Sequence, residues 1–454
     1  MKSDALKTTF TFLFIFACHA IVFLAFWPGM CTYDLIAQID QYANHAFSTA
    51  HPLLHTLFIG YFHDLFKPDY NRGYAYATLI QLLIVDGAIT YLISYMRSLG
   101  TKKWLLVCFI LFYGIFPINS MLAISHTKDV MFAAFASIFF IDSLRLLKNS
   151  IKTGRILFYI RMILNAVLMI LFRNNAIYAV IAVFLLLTIA AIIKYKSNSS
   201  YVILRNYILV LFVCTILSVL GDRMLMKATD ASTGSIKEMM SIPAQIMGRI
   251  YNEGASDEEK ELILSYIPNA QEYKYYISDP MKLNLPFEIW ESKCKHFLLD
   301  SAILAIHHPI ISIQAFWYNI QGYIDPFHMP YSSDHFYLAR YDYRGDAELV
   351  SKLPKLCDEY VKLFRTTENY GNSPIVIPFN LGIYVWICMI AFIVLMIRHL
   401  KNPKRKEFGF MAYLFPFMYL MTLLLGPAAI MRYGFLYVLL APASIAILLN
   451  LKKS

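Results

Sequence analysis

The chain has 454 residues, of which 58% are apolar and only 15% are charged, and its mean hydropathy is +0.53. Because roughly 25% of residues are charged in a typical soluble domain, this composition excludes a disordered chain, a coiled coil and a disulfide scaffold. It also argues against a soluble enzyme, since one core could not bury so much apolar sequence. The formal net charge is +10, but in a membrane protein the positions of Lys and Arg matter more than their sum, and we expect no nucleic-acid partner. The seven cysteines show no spacing typical of disulfides or zinc ligands.

Long apolar segments dominate the sequence. A helix that crosses a bilayer needs about 20 mostly apolar residues, and ten segments meet this requirement. They are roughly 8–27, 74–97, 103–120, 129–147, 156–171, 175–193, 203–221, 377–397, 409–426 and 428–449. The first is predicted to be an uncleaved anchor, because no small-x-small cleavage site closes its apolar run. The sequence therefore predicts an all-α polytopic membrane protein with about ten transmembrane helices.

The distribution of positive charge predicts the orientation. With the N-terminus inside, the inner loops contain 19 Lys and Arg residues, whereas the short outer segments contain 4. This bias predicts a multi-pass protein of the cytoplasmic membrane with both termini in the cytoplasm. Its parts are a seven-span N-terminal module (1–221), an outer domain (222–376) and a three-span C-terminal module (377–454).

The first outer loop, 28–73, is predicted to contain two interfacial helices. The segment 33–46 has one apolar face and one polar face, and the polar face is expected to point into water. That polar face comprises Asp34, Gln38, Gln41 and His45. The segment 51–66 is apolar but only 16 residues long, and Pro52, Gly60 and three histidines interrupt it. A crossing there would reverse the charge bias, so we place it on the membrane surface.

The long outer loop is richer in Tyr, Asp, Glu and Lys, and it is predicted to fold as a mixed, mostly helical domain that binds an acceptor. Its most apolar piece is 297–320, which His307, His308 and Pro309 interrupt. A span there would place the two termini on opposite sides, so this piece is predicted to face the membrane without crossing it.

Polar residues collect at the outer ends of the predicted spans, at one membrane depth, although they are far apart in sequence. They are Asp34, His51, His55, Lys128, Asp129, Arg173, Asn174, Arg432 and Tyr433. Ionisable groups beside membrane spans are candidates for function. This shared depth predicts one site at the outer leaflet.

The chemistry of such a site follows from its residue types. Nucleotide sugars and ATP are not normally supplied outside the cytoplasmic membrane, so group transfer there uses lipid-linked donors. Lys128, Arg173 and Arg432 would bind the donor phosphate at headgroup depth. Asp34 has the position of a general base that deprotonates an acceptor hydroxyl.

Three segments carry a family resemblance: WPGMCTYDLIAQ, HPLLHTLFIGYF and SHTKDVMFAAF. Together they resemble the GT-C superfamily of polytopic glycosyltransferases over about residues 1–200. More narrowly, they resemble bacterial members that decorate surface polysaccharide, such as the O-antigen glucosyltransferases and their Gram-positive relatives. The resemblance implies a GT-C fold and inverting transfer of a hexose, with glucose the expected sugar, from a polyprenyl-phosphate donor. The acceptor would be an extracytoplasmic polysaccharide or glycolipid.

The resemblance also implies roles for particular residues. It makes Asp34 the base, and it places the interfacial-helix motif at His51 and Pro52. The charged turn falls at Lys128 and Asp129, and the terminal Arg-Tyr pair at Arg432 and Tyr433. The first loop lacks the adjacent acidic pair found in some members, since Asp34 and Asp40 are six residues apart. No soluble cofactor is implied, and a divalent metal is possible but has no support.

Structural interpretations stand beside these functional ones. Asp34 would also cap a helix, and Lys128 with Asp129 would also cap the fourth span. His51 and His55 have the i, i+4 spacing of metal ligands and equally suit donor or acceptor contacts. Arg173 and Arg432 would also anchor lipid headgroups.

Two other functions remain open, a multispan transporter or flippase and a glycan polymerase or ligase. The intramembrane acid Asp86 favours transport unless it pairs with Arg161 or is protonated. Transporters typically show repeats and midplane sites, neither of which is visible here. Substitution of Asp34 by Asn discriminates, since only the transferase needs this base.

Overall fold

The computed structural model describes residues 2–148, 155–194, 200–234, 239–327, 347–370, 374–401 and 408–451. Within these ranges the chain is helical, and β-type pairing is limited to isolated bridges. Seven of the described helices are long and apolar enough to cross a membrane, and the number rises to nine if two bent helix pairs each count as one span. The prediction of a polytopic helical membrane protein is confirmed at this level.

The N-terminal half contains ten helices. They are α1 (Lys2–Ala25), α2 (Tyr33–Ala43), α3 (Leu53–Leu65), α4 (Tyr70–Ser98), α5 (Lys103–Ile115), α6 (Pro117–Ala123), α7 (Lys128–Leu147), α8 (Arg155–Phe172), α9 (Ala176–Lys194) and α10 (Ser200–Thr229). The predicted third span is a bent pair, because Pro117 opens α6 at an angle of 49° to α5.

Helix α10 corrects one predicted boundary. The seventh span was predicted to end at 221, but α10 continues eight residues further, to Thr229. The reason is local, since the residues after Gly221 include the good helix formers Met224, Leu225 and Met226 and no proline. Residues 222–229, which the sequence assigns to the outer domain, therefore belong to the same helix as the seventh predicted span.

The next helices form a separate unit with its own hydrophobic core. They are α11 (Ser241–Glu253), α12 (Asp257–Tyr266), α13 (Asp279–Leu283), α14 (Phe287–Glu291), α15 (Cys294–His307) and α16 (Pro309–Ile324). Met247, Met281 and Phe297 are buried at its centre. We call this unit the helical cap, the end of the bundle that carries it the cap side, and the other end the far side. Helix α17 (Pro354–Tyr370) follows it and packs against α1.

The C-terminal part returns to the bundle through α18 (Leu381–Lys401), α19 (Gly409–Ala412), α20 (Leu414–Leu424) and α21 (Phe435–Leu449). A single 3-10 turn, Met431–Gly434, precedes α21. Helix α7 is the most buried of the spanning helices, and it packs against α4, α8 and α21. Its N-terminus lies on the cap side, where the candidate site is found.

The two short helices of the first loop form as predicted, but their polar side chains do not all face water. Gln38 is 1% exposed and His55 is 0% exposed. The Gln38 amide bridges the two helices, because its Oε1 bonds Nδ1 of His55 and its Nε2 donates to Thr56. Gln38 turns inward because α2 packs on α3. The two helices are so close that a Cβ at Gly60 of α3 would lie 2.1 Å from the ring of Tyr42 of α2.

The proposed pairing of Asp86 with Arg161 is wrong. Asp86 lies 2.7 Å from Nδ1 of His19, and both side chains are fully buried. The guanidinium of Arg161 instead holds Asp142 with two hydrogen bonds, of 2.6 and 3.1 Å. Arg161 lies too near the far side of the bundle to reach Asp86. Asp142 on α7 lies at the same depth as Arg161 and pairs with it.

Candidate active site

Five charged side chains meet on the cap side of the bundle. We call them the cap-side ion cluster: Asp34, Lys128, Asp129, Arg173 and Arg432. They come from α2, the first turn of α7, the residue after α8 and the turn before α21. The structure thus brings together residues up to 398 positions apart in sequence.

Asp34 is bound on one side only. Nη1 of Arg432 lies 2.9 Å from its Oδ2, and Nζ of Lys128 lies 3.2 Å from the same oxygen. Its second oxygen, Oδ1, has no hydrogen-bond partner among the described residues, and the side chain is 23% exposed. The carboxylate therefore presents one held oxygen and one accessible oxygen.

The surroundings keep Asp34 ionised. Burial alone would raise its pKa, but Arg432, Lys128 and His51 together hold the pKa well below its usual value. A carboxylate in this state accepts hydrogen bonds at neutral pH and does not donate them.

Asp129 forms the buried centre of the cluster. It pairs with Arg173, and Nη1 of Arg432 lies 3.7 Å from its Oδ2. The hydroxyl of Thr127 caps α7 by accepting from the Asp129 backbone N–H, and it also donates to the carboxylate. Three cations and two carboxylates leave the cluster with one formal positive charge in excess. Sequence reasoning missed Thr127, although a threonine before a predicted span is an N-cap signal.

Aromatic rings cover the two guanidinium groups. The ring of Tyr433 lies 4.7 Å from the Arg173 guanidinium carbon and 4.9 Å from that of Arg432. The ring of Tyr419 lies 5.6 Å from Arg173 on another side. Such stacking holds a buried guanidinium in place without neutralising its charge. Tyr419 had no sequence signal, because it lies within an apolar run.

The remaining predicted site residues divide into two groups. His51 touches the cluster, since its Nδ1 lies 3.1 Å from Nζ of Lys128, and burial followed by Lys128 lowers its pKa to about 4. It is therefore a neutral acceptor of a lysine hydrogen bond. His55 is buried against Phe172, and Asn174 donates to the backbone carbonyl of Thr49. These last two residues support the structure around the cluster and do not contact its ions.

The positions of α2 and α7 are fixed by a direct link between their preceding loops. The backbone N–H of Met30 donates to Ile124, and that of His126 donates back to Met30. The hydroxyl of Thr32 also donates to the His126 carbonyl. Gly29 is required at the start of this link, because its φ is +124° and a Cβ would lie 2.3 Å from Thr78 Oγ1.

No group of three or more His, Cys, Asp or Glu side chains within the described ranges is arranged to hold a metal ion. Oδ2 of Asp34 is already shared by Lys128 and Arg432.

The fold and the cluster define a polytopic helical membrane protein with a buried, cation-rich ionic site at one end of its bundle. A family model described as a family of unknown function (DUF6020) matches residues 42–453, and the chain belongs to that family. The matched region contains Lys128, Asp129, Arg173 and Arg432 and begins eight residues after Asp34. No curated protein and no solved structure matches the chain.

Proposed function

We propose that the protein is a GT-C type glycosyltransferase of the cytoplasmic membrane, with its cap side facing outward. It transfers a hexose, such as glucose, from a polyprenyl-phosphate donor to an extracytoplasmic polysaccharide or glycolipid. The observation that carries this proposal is the asymmetric binding of Asp34, whose Oδ2 is held by two cations while Oδ1 has no partner among the described residues.

The donor phosphate would bind to the cations of the cap-side ion cluster. Arg173 and Arg432 are only 6% and 4% exposed, and charge-assisted hydrogen bonds to phosphate are strongest where water is excluded. The N-terminus of α7 adds its partial positive charge at Lys128. The formal charge excess of +1 matches the single negative charge of a phosphodiester.

The transfer step balances in charge and in protons. The acceptor hydroxyl donates its proton to Oδ1 of Asp34, and its oxygen attacks the anomeric carbon of the hexose. The bond from that carbon to the phosphate oxygen breaks, and the phosphate leaves with the electron pair. Asp34 becomes neutral as the phosphate gains one negative charge, so the net charge of the site does not change. The buried cations would stabilise the charge that develops on the phosphate.

The same contacts suggest an order of binding. Without donor, Lys128 and Arg432 hold Oδ2 of Asp34 and keep its pKa low, which makes it a weak base. A bound phosphate would compete for both cations, weaken their hold on Asp34 and raise its basicity. The donor would therefore prepare the base before the acceptor reacts.

The first experiment measures donor consumption. Purified protein in lipid is incubated with synthetic polyprenyl-phosphate glucose and crude surface glycan, and released polyprenyl phosphate is quantified. We expect Asp34→Asn to lower turnover by about 10²- to 10⁴-fold, the usual worth of a general base, while donor binding is retained. Asp40→Asn is the matched control, because it makes the same change on the same helix and should leave turnover near the wild-type value.

Two results would count against the proposal. Absence of release with a panel of polyprenyl-phosphate hexoses and glycan would overturn the transferase assignment. Equal turnover of the wild type and Asp34→Asn would overturn the assignment of the base alone.

A further inference from the structure

We infer that the hairpin of α15 and α16 lies within the bilayer leaflet on the cap side, with acyl chains covering its exposed apolar face. The inference concerns the helical cap and its lipid partner, so it holds whatever reaction the ion cluster performs.

The hairpin exposes one continuous apolar face. On α15 this face follows a spacing of four and three residues through Leu299, Ile303 and Ile306, and it continues on α16 through Ile310, Ile313 and Trp317. Ile306, Ile310 and Ile313 are 76%, 71% and 68% exposed. A contiguous apolar patch of this kind marks an interaction site, whereas isolated exposed apolar residues do not.

These exposures match those of residues that face lipid in the spans. Ile192 and Ile193 on α9, which is one of the candidate membrane spans, are 65% and 78% exposed. The opposite face of the hairpin is buried, since Phe297, Leu304 and Ala315 pack within the protein. The hairpin is therefore amphipathic, as helices that lie in a membrane interface are.

The apolar face of α16 continues into the lipid-facing stripe of α18. Ile324 lies seven residues after Trp317 and so falls on the same side of α16. Its backbone carbonyl accepts a 2.6 Å hydrogen bond from the indole of Trp386. Trp386 begins an exposed stripe on α18 that continues through Ile390, Ile393 and Ile397. Lipid that covers this stripe of α18 would therefore also contact the adjoining apolar face of the hairpin.

The end of α16 is tied to the cap side of the bundle, which places the hairpin at the level where the leaflet begins. Tyr323 donates to the carbonyl of Ala428, and Asn319 donates to that of Gly426. Both acceptors lie in the segment between α20 and the turn that holds Arg432. The hairpin would thus support the helical cap beside the ion cluster.

The geometry favours a helix pair lying in one leaflet over one that crosses both. α15 has 14 residues and α16 has 16, so they are about 21 and 24 Å long, shorter than the roughly 30 Å hydrocarbon core. The chain bends by 111° between the two helices. Exposed His307 lies at the bend, and His308 is bonded there to Glu259 at 3.0 Å, so polar groups accompany the apolar tip.

The test measures the depth of spin labels in lipid nanodiscs. Cys18, Cys108 and Cys294 are replaced by Ala, because the other four cysteines are buried. Labels are then attached at Ile306→Cys, Ile310→Cys or Ile313→Cys, with Glu261→Cys on exposed α12 as the matched control. We expect the ratio of oxygen collisions to nickel-chelate collisions to be several-fold higher at the three hairpin positions than at the control.

Other occupants of the face give different results. A ratio equal to that at Glu261 would overturn the inference by placing the face in water. Spectral broadening from spin–spin coupling in a singly labelled variant would also overturn it, because a second copy of the chain would then cover the face. Trp317 offers a check without cysteines: brominated lipids should quench less of the total fluorescence in Trp317→Phe than in the wild type, and equal quenching would contradict membrane burial.

Discussion

The two ends of α7 carry two ion clusters that differ in how they use a carboxylate. At the cap side, Asp34 and Asp129 meet three cations. About 20 Å away along α7, counted from Asp129 to Asp142, a second cluster on the far side consists of Tyr91, Asp142, Arg145 and Arg161. We call this set the far-side ion cluster. Its members come from α4, α7 and α8, and α7 packs against both of the other two helices.

The two clusters differ in how many oxygens of the carboxylate lack a hydrogen-bond partner. Both oxygens of Asp142 are bound, Oδ1 by Tyr91 and Arg161 and Oδ2 by Arg161 again. Asp34 has one bound oxygen and one without a partner in the described part of the chain. A fully bound carboxylate holds helices together, whereas a half-bound one at an accessible surface can also act on a ligand. Burial and ion pairing alone therefore do not identify a functional acid.

The largest expected effect is on stability. Asp129→Asn removes the counter-charge of Arg173, whose side chain is 7% exposed and cannot reach water, and leaves Arg432 with Asp34 as its carboxylate partner. We expect the free energy of unfolding to fall by about 3–5 kcal/mol, the usual result when one partner of a buried pair is removed. Asp142→Asn should cost less, because Arg161 is 43% exposed and can turn to water.

Thermal unfolding of the purified variants in detergent measures this difference. Asp4→Asn is the control, since its side chain is 73% exposed and its surface pair contributes little. If Asp142→Asn proved the more damaging change, the comparison between a tightly buried and a partly exposed cluster would be wrong.

The second expected effect separates the clusters by activity. In the donor-release assay, Arg432→Gln should lower turnover by about 10²- to 10³-fold, as the loss of one preorganised donor to a developing anion does. Arg161→Gln should leave turnover within about tenfold of the wild type, because the far-side cluster lies across the bundle from the proposed phosphate site. An equal loss in both variants would indicate that the far-side cluster also takes part in the reaction.

The third expected effect, which is the smallest within the pH range that can be measured conveniently, is a loss of stability in acid that belongs to the cap side. Burial, and then the charge of Lys128, lower the pKa of His55 from 6.5 to about 3, and they lower that of His51 to about 4. The unfolded chain therefore binds these protons first as the pH falls below 6.5. Stability is full above that pH and falls by about 1.4 kcal/mol per pH unit for each fully buried histidine until the folded-state pKa is reached.

Unfolding midpoints between pH 7.5 and 5 check this effect. His55→Gln should flatten the dependence on pH, since it removes one titrating group. The far-side cluster contains no histidine, so Arg161→Gln should keep the wild-type slope. An unchanged slope in His55→Gln would show that His55 does not resist protonation in the folded protein.

The sequence was sufficient to predict the helical membrane class, because apolar runs of span length are encoded locally. The two short helices of the first loop were also predictable, since their lengths and the charge bias exclude a crossing. The extension of α10 to Thr229 was missed because hydropathy ends before helix propensity does. The burial of Gln38 was not predictable from the spacing of polar residues along α2. A polar helix face that packs on another helix has the same sequence pattern as one that faces water.

The meeting of Asp34 with Lys128, Asp129, Arg173 and Arg432 was suggested by their common membrane depth. Depth cannot specify partners, however. The pairing of Asp86 with Arg161, offered as one alternative, was wrong, because Asp86 pairs with His19 and Arg161 pairs with Asp142. Nor could depth identify which oxygen of Asp34 is held, because that depends on the angle at which the last helix enters.

The distance in sequence between Asp34 and Arg432 has a consequence for biogenesis. A ribosome must synthesise nearly the whole chain, and the membrane must receive the last helix, before the first-loop carboxylate gains its guanidinium partner. A chain that stops before α21 has the early spans but not the completed ion cluster. Unfinished copies would thus be inserted without the Arg432 side of the cap-side ion cluster, so only chains that include α21 and its preceding turn would carry the complete cluster.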